Sequence, residues 1–515
     1  MTGGLRQAMR WLHSWAGLVF GWLLMVIFVT GTLTCFARPI TDWMRTDWRP
    51  APSIAQSERF VAASLAHIAR EAPDAERWNI YVPDDWLAWW DKDGTFHEAR
   101  LDRITGKPKS AAQERETHGG YFFNGVHHSL YAGTPGILLV GLVTVAMLVA
   151  LVSGIIIHKR LFKDLFTLRL GKGQRSWLDG HNVASVLSLP FQLMIAVTGL
   201  AIFHYAWMPA PIALNYGMAG GLQAEFAQES AYFKARNADP RTDALPDPVA
   251  IPLAAVPVLT ADAHARTGVP LEWIYRERGP DGRPRLWIGM DGTGPQTLPQ
   301  PVAVEFKAVG TPARLHQLHK GDGSAAETTL AVMDTLHEAR FGGALIDWLW
   351  FLLGLIGCVM IATGLILFTR KRRASGRREF GSATGHVYRA IEAINVATVT
   401  GVTLASIAFL WASRVIPAAT PGRAEIEVQS FFLVWAMAFV HALLRPGRAA
   451  WAEQCAAIAL LCIALPLLNA ATTGAWFGRY AATGNWAGFG VEIVAMLSGG
   501  AFALIAFRLA RKAPA

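Results

Sequence analysis

Apolar residues in this chain are gathered into long unbroken runs rather than spread at the short alternations of a water-soluble fold. Eight runs stand out, over Trp11–Phe36, Ile137–Ile157, Val183–Ala206, Ala344–Phe368, Ala390–Val415, Val428–Leu444, Trp451–Leu468 and Gly488–Phe507. Each comes close to the roughly 20 apolar residues that carry a helix across a bilayer. A helix also lets a single segment satisfy its own backbone polar groups in hydrocarbon. The pattern therefore predicts eight transmembrane helices. Arg6 and Arg10 precede the first run. That run is too long for the core of a signal peptide and no A-x-A site follows, so it reads as an uncleaved first helix.

Two long polar segments interrupt the runs, at about residues 38–135 and 208–343. In the first, Phe60–Arg70 has helical spacing, Trp78–Trp90 is rich in strand formers, and Asp91-Lys92-Asp93-Gly94 is a hairpin turn. Leu101 opens a strand end that closes at Asp102-Arg103-Ile104-Thr105-Gly106. The second segment repeats the order. It has helical spacing over Pro252–Thr267, strands at Leu271–Arg276 and Arg285–Met290, and the turn Pro280-Asp281-Gly282 between them. The expected fold is an all-α polytopic membrane protein carrying two small α/β domains. Helix 1 takes 5–37, the first domain 38–135, helices 2 and 3 136–207, the second domain 208–343 and helix 4 344–375. An added bundle, helices 5–8, takes 385–510.

Charge sets the expected orientation. Lys159, Arg160, Lys163, Arg169, Lys172 and Arg175 lie between helices 2 and 3, and Arg370–Arg373, Arg377 and Arg378 follow helix 4. Arg445 and Arg448 separate helices 6 and 7, and Arg508, Arg511 and Lys512 come after helix 8. All fall on one side, which the positive-inside rule makes cytoplasmic, together with both termini. Hydrophobic residues make up 52% and charged residues 17%, against about 25% charged in a soluble domain. This excludes a disordered chain, a collagen and an ordinary cytosolic enzyme. The net charge of +9 follows from these short loops, so it points to the lipid bilayer as partner and not to nucleic acid. Cys35, Cys358, Cys455 and Cys462 all lie within apolar runs, with no C-x-x-C-H or zinc spacing. They read as packing residues.

The chain also repeats itself. His13-Ser14-Trp15-Ala16-Gly17, followed by Val29-Thr30-Gly31, matches His181-Asn182-Val183-Ala184-Ser185, followed by Val197-Thr198-Gly199. The offset is 168 residues at both ends. His127 followed by Ser153-Gly154 matches His337 followed by Thr363-Gly364 at an offset of 210. Helices 1–4 thus read as a duplicated four-helix core: helix, outer domain, helix, twice. Equivalent helices run in the same direction, which relates the halves by an axis along the membrane normal.

A helix, two strands and a closing Asp-x-x-Thr-Gly turn resemble the PepSY module. Set between spans of the His-x-x-x-Gly-Leu and His…Ser/Thr-Gly types, residues 5–375 resemble the PepSY-associated transmembrane family. The first loop matches that module closely and the second loosely. The family includes bacterial inner-membrane siderophore-iron reductases. The resemblance implies a multi-pass protein of the bacterial inner membrane that reduces a ferric siderophore in the periplasm.

Histidine at membrane depth is costly and needs a partner. Haem iron suits imidazole in a helical bundle, where histidines from two helices sandwich one porphyrin. His13 and His181 are equivalent in the repeat and lie at the inner ends of helices 1 and 3. His127 and His337, likewise equivalent, precede the outer ends of helices 2 and 4. These four are the candidate axial ligands of two b-type haems. The plain alternative for each is an interfacial histidine at the membrane edge. Gly17 and Gly21 follow His13 at one and two turns and leave room for a flat ring, although the spacing also serves close helix packing. Their counterparts are Ser185 and Leu189.

Other histidines rank lower. His128, whose counterpart is Glu338, reads as a polar neighbour and substitute ligand. His158, whose counterpart is Phe368, reads as a cationic flank and the replacement partner for His13 or His181. His386 and His441 are compatible with another inner site, with packing or with proton exchange. His204 reads as interfacial, and His67, His97, His118, His264, His316 and His319 as solvated loop residues. Trp78, Trp86, Trp89 and Trp90 read as the core of a small domain, with a stacking surface for a flat ligand as the alternative.

There is no Walker loop, H-E-x-x-H or strand-linked G-x-G-x-x-G. Electrons for a reductase must then come from a separate cytoplasmic or membrane donor, enter at the level of His13 and His181, and leave at the level of His127 and His337. Two rivals need no paired histidines: a non-redox PepSY protein that binds peptides or regulates a protease, and a transporter.

Overall fold

The computed structural model describes residues 2–46, 48, 52–75, 77–110, 114–158, 174–208, 214, 256–267, 271–278, 284–290, 302–307, 315–317, 325–374 and 380–511. Helices form where the apolar runs predict them. Helices α1 (Thr2–Val19) and α2 (Gly21–Thr34) are long and apolar enough for a span when taken together, and are bent by 59° at Phe20. The bend falls between Gly17 and Gly21, the kind of pair at which helices kink. A Cβ on Gly21 would lie 3.1 Å from Leu365, so the bend lets the backbone approach a neighbouring span.

Next come α3 (Ala37–Arg45), α4 (Ile54–Glu71), strands β1 (Arg77–Tyr81), β2 (Trp86–Trp90) and β3 (Phe96–Arg100), and α5 (Tyr121–Ser129). Two spans follow, α6 (Gly133–Ile157) and α7 (Gln174–Ile202), and then α8 (Val256–Thr267). Strands β4 (Leu271–Arg278), β5 (Pro284–Met290), β6 (Val302–Lys307) and β7 (Leu315–Gln317) lead to α9 (Ala325–His337) and the span α10 (Gly343–Ala374). A second bundle closes the chain. Helix α11 (Thr384–Val396) runs through a π-helical turn, Ala397–Gly401, into α12 (Val402–Val415). Helices α13 (Arg423–Leu444), α14 (Arg448–Thr473), α15 (Phe477–Thr483) and α16 (Trp486–Arg511) complete it.

Among the described residues, seven helices are long and apolar enough to cross a membrane, or eight when the bent pair is counted as one span. The protein is a polytopic, mostly α-helical membrane protein with a β-sheet region. Two helices outrun their apolar stretch. Helix α7 begins at Gln174 rather than near Val183, so His181 sits inside it. Helix α10 continues through Arg370–Arg373, whose long apolar stems and charged heads suit the end of a span.

The sheet departs from the expected pair of separate domains. Strands from both loops form one antiparallel sheet in the order β3-β2-β1-β4-β5-β6-β7. Strand β1 joins β4 with Trp78 opposite Arg276 and Ile80 opposite Ile274. Left apart, β1 and β4 would each expose an unpaired edge, and pairing removes both. Helices α4 and α8 cover one face, where Phe60, Leu65 and Ile68 meet Trp78, Ile80, Leu87, Ile274 and Ile288. Trp78 and Trp89 are therefore core residues, as is His67, which is buried rather than solvated. Trp90 lies half-buried on the other face, beneath the Arg77 guanidinium at 4.0 Å.

The stretch Trp78–Trp90 is two strands, not one, because the chain turns at Val82–Asp85. There Asp85 has φ +53° and accepts from Arg103 Nε at 2.6 Å. The Asp102-x-x-Thr-Gly turn is built as its residues suggest. Asp102 Oδ1 accepts from the backbone of Ile104 and Thr105 and from the Thr105 hydroxyl, and Gly106 takes φ +67°. Strands β6 and β7 had no counterpart in the sequence reading, and the expected turn at residues 280–282 lies outside the described residues.

The second bundle backs α5. Phe122 stacks on Phe409 at 4.6 Å and meets Phe431 at 5.0 Å, and Phe123 meets Phe409 at 5.5 Å. Beside them is an ion pair, Arg423–Glu427 at 2.6 Å, with both side chains fully buried. Arg423 also donates to the Glu116 carbonyl at 2.6 Å, and the Thr117 hydroxyl donates to Glu427. The connector that enters α5 is thereby fixed to α13. Arg423→Ala should cost about 3–5 kcal/mol, since it strands a buried carboxylate. Arg423→Met with Glu427→Met should recover most of that loss, as read by thermal unfolding in detergent.

Candidate functional site

The repeat histidines meet in two pairs. The rings of His13 on α1 and His181 on α7 lie 6.3 Å apart, centre to centre, with planes at 72°. Those of His127 on α5 and His337 on α9 lie 6.0 Å apart, with planes at 33°. All four residues are half-buried, so each keeps some accessible surface. His181 and Thr198 are 17 residues apart on α7. The two pairs are thus about 25 Å apart along that helix.

Each ring is held through Nδ1 by the helix it faces. His13 Nδ1 lies 2.9 Å from the Ala150 carbonyl, and His181 Nδ1 lies 2.9 Å from that of Met360. His127 Nδ1 lies 2.9 Å from the Ile27 carbonyl, and His337 Nδ1 faces the Thr198 hydroxyl of α7. A carbonyl only accepts, so Nδ1 carries the hydrogen. In a neutral imidazole Nε2 is then the free lone pair, the tautomer that binds a metal. Hydroxyls stand beside these bonds. Ser153 Oγ is 3.3 Å from His13 Nδ1, Thr363 Oγ1 3.4 Å from His181 Nδ1, and Thr198 Oγ1 3.0 Å from His337 Nδ1. Thr198 already donates to the Met194 carbonyl at 2.8 Å, so it accepts from His337. Burial pushes His127 and His337 below the usual histidine range, His337 to about 3, which keeps both rings neutral.

Glycine makes room for each ring. A Cβ on Gly31 would lie 2.6 Å from His127 Nδ1, and one on Gly199 2.9 Å from His337 Cε1. On Gly364 it would lie 3.2 Å from His181 Cε1, and on Gly154 3.4 Å from His13 Cε1. The Ser/Thr-Gly doublets that marked the repeat therefore have a local job, the glycine giving clearance beside the bonded Nδ1. That job was missed in the sequence, although the doublets themselves were the signal.

These residues could hold a haem. Metal–imidazole bonds of about 2 Å, with each ring centre about 1 Å behind its nitrogen, put two axial rings about 6 Å apart. Around His13 and His181 lies a cavity of about 760 Å³, within the usual range for ligand sites. Gly17, Gly21, Met147, Leu151, Ser185 and Leu189 line it. Among the described residues no group of three or more His, Cys, Asp or Glu is placed to hold a bare metal ion.

The second-rank histidines lie elsewhere or at the margin. His158 lines the same cavity, at the end of α6. His128 turns away from the pair, bonds the Asn124 carbonyl at 2.7 Å and stacks on Phe203 at 5.7 Å. His386 is exposed on the first turn of α11. His441 is bonded to Glu453 at 2.8 Å.

A model of the PepSY-associated TM region matches residues 10–371, well over half of the chain. The chain belongs to the PepSY-associated transmembrane family. The family region takes in all four paired histidines and the whole sheet, and it stops short of α11–α16. The uncharacterized protein PA4219 of Pseudomonas aeruginosa is 36% identical over 75 residues, which is 14% of this chain and 19% of that protein.

The glycines give a graded test. Gly31→Ala should overpack the His127 ring and cost about 1–3 kcal/mol, with Gly199→Ala next and Gly154→Ala least. Gly17→Ala, which meets nothing within 4 Å, should be neutral or slightly stabilising. Thermal unfolding of the four variants checks the order.

Proposed function

We propose that this protein carries single electrons across the membrane and reduces ferric iron held by a siderophore, with one b-type haem at each histidine pair. The observation that carries the reading is the geometry of the pairs: ring centres 6.3 and 6.0 Å apart, each ring bonded through Nδ1 to a facing helix or its hydroxyl. When bound, haem supplies one-electron chemistry. The chain's own groups fix the tautomer of each ligand, clear space for the rings and line the inner cavity with mostly apolar side chains. The pairs divide a bilayer core of about 30 Å into shorter steps. A siderophore binds Fe(III) through hard oxygen donors and Fe(II) far less tightly, so one electron frees the metal and spares the chelator. The donor is a separate carrier.

Several finer points belong to this reading. The histidine carbonyl partners Ala150 and Met360 stand 210 residues apart, and Gly31 and Gly199, beside His127 and His337, stand 168 apart. These are the offsets of the sequence repeat, which supports a duplicated four-helix core. The basic helix ends are assigned to the cytoplasm with both termini, the sheet to the periplasm, and the protein to the bacterial inner membrane.

A second reading takes the helices as an anchor and the sheet as a peptide-binding module. It is favoured by β7, the terminal strand of the sheet, whose outer edge has no partner strand among the described residues and suits strand addition.

Protein purified in detergent from haem-replete cells should be red, with the bands of low-spin six-coordinate haem that denaturing solvent extracts. His127→Ala or His337→Ala should lose about half of the haem, one centre of two, and abolish reduction of ferric chelate. His13→Ala or His181→Ala should lose the other half. A colourless, folded preparation leaves the peptide-binding reading. If His158→Ala behaves like His13→Ala while His181→Ala does not, the inner pairing is wrong. Reporter fusions at Ser110 should signal periplasm and fusions at Pro446 cytoplasm.

A further inference from the structure

The cavity around His13 and His181 has an uneven lining. Its walls are mostly apolar, with Met147, Leu151, Leu189 and Ile361 among them. Arg10 from α1, Arg175 from α7 and Lys371 from α10 also line it, and no Asp or Glu does. None of these three cations has an ion pair or side-chain hydrogen bond among the described residues.

Their neighbours are otherwise engaged. Arg6 donates to the Ile157 carbonyl at 3.0 Å, Arg372 lies 4.7 Å over Trp15, and Arg370 lies 5.9 Å over Trp177. Basic residues at span ends are expected on the cytoplasmic side of any membrane protein. These three differ because they come from three helices to one cavity, and among the described residues no acidic side chain lines it with them. All three are exposed, so water screens their mutual repulsion, but an anion seated in the cavity would meet all of them at one edge. The occupant that matches this lining has a large apolar body and more than one acidic group at a single edge.

We propose that Arg10, Arg175 and Lys371 hold the carboxylates of the porphyrin bound at His13 and His181, and so fix which edge of the ring faces the basic helix ends. This rests on the haem reading above. It adds a set of binding residues on α1, α7 and α10 that act on the acidic edge of the ring and not on its iron. Removing them should weaken binding and leave the axial ligation, and hence the low-spin spectrum, in place.

The full chain with His127→Ala and His337→Ala, so that only the inner site takes up haem, is prepared without haem in phosphatidylcholine nanodiscs. It is titrated with haem and with haem dimethyl ester, followed by absorbance. The same titrations are run with Arg10→Gln, Arg175→Gln and Lys371→Gln added together. Haem should bind about tenfold tighter than the ester. The added substitutions should bring haem down to the level of the ester and leave the ester unchanged, the non-additivity expected of direct partners.

Equal affinity for the two porphyrins overturns the proposal, as does an equal loss for both on removing the cations. In either case a surviving low-spin spectrum leaves the haem reading standing. If neither porphyrin binds, both readings fall. A triple variant that keeps its haem affinity but loses binding of spin-labelled phosphatidylglycerol assigns the cations to lipid phosphate, and that too overturns the proposal.

Discussion

The structure turns on one bond, made at each paired histidine: an imidazole Nδ1–H given to a facing helix, to a carbonyl at His13, His181 and His127 and to the Thr198 hydroxyl at His337. An unpaired polar group at membrane depth is expensive. The bond meets that cost and does more. It ties α1 to α6 through His13 and Ala150, α7 to α10 through His181 and Met360, and α5 to α2 through His127 and Ile27. A histidine placed this way is both a fastener between helices and a base with its remaining lone pair exposed. The glycine next to each contact is part of the same device, because the ring needs the volume that a methyl group would take.

The second bundle makes sense against that requirement. Helix α5 is short and lies outside the spans, yet it must present His127 to α2. Its other face is held by Phe409 and Phe431, and its entry is held by Arg423 and Glu427. Arg414 donates to the Met44 carbonyl at 3.0 Å and to Asn469 at 2.6 Å, which fixes α3 to the same bundle. On the far side, Asn395 accepts from Trp22 at 2.7 Å and donates to the Leu365 carbonyl at 3.3 Å, bridging the bundle to α2 and α10. The two helical groups share a buried frame of charges and amides.

Much of this was legible in the sequence for a physical reason. Lipid demands about 20 apolar residues per span, and so strong a demand shows without any fold knowledge. The offsets of 168 and 210 grouped the histidines as the structure groups them, His13 with His181 and His127 with His337. The bend at Phe20 was not read from the sequence, because Gly17 and Gly21 serve close helix packing as readily as a kink. The joining of β1 to β4 was hidden for another reason. Strand pairing depends on which edges meet in space, and nothing local in Ile80 or Ile274 names its partner. The extra residues of α7 before Val183 are mostly polar, Trp177 and Leu178 aside, and an apolar window passes over them.

The shared sheet also constrains how the protein is made. Strand β1 leaves the ribosome long before β4, and two spans, α6 and α7, lie between them. At synthesis rates of about 5–20 residues per second, the chain from Tyr81 to Leu271 takes roughly ten to forty seconds. Through that interval β1 has β2 on one side and a bare edge on the other. The half-sheet must be sheltered, or stay unfolded, until both later spans are inserted and β4 arrives. Biogenesis of this protein is thus ordered by its topology: membrane insertion of α6 and α7 precedes completion of the sheet, and a delay in their insertion lengthens the life of an aggregation-prone edge.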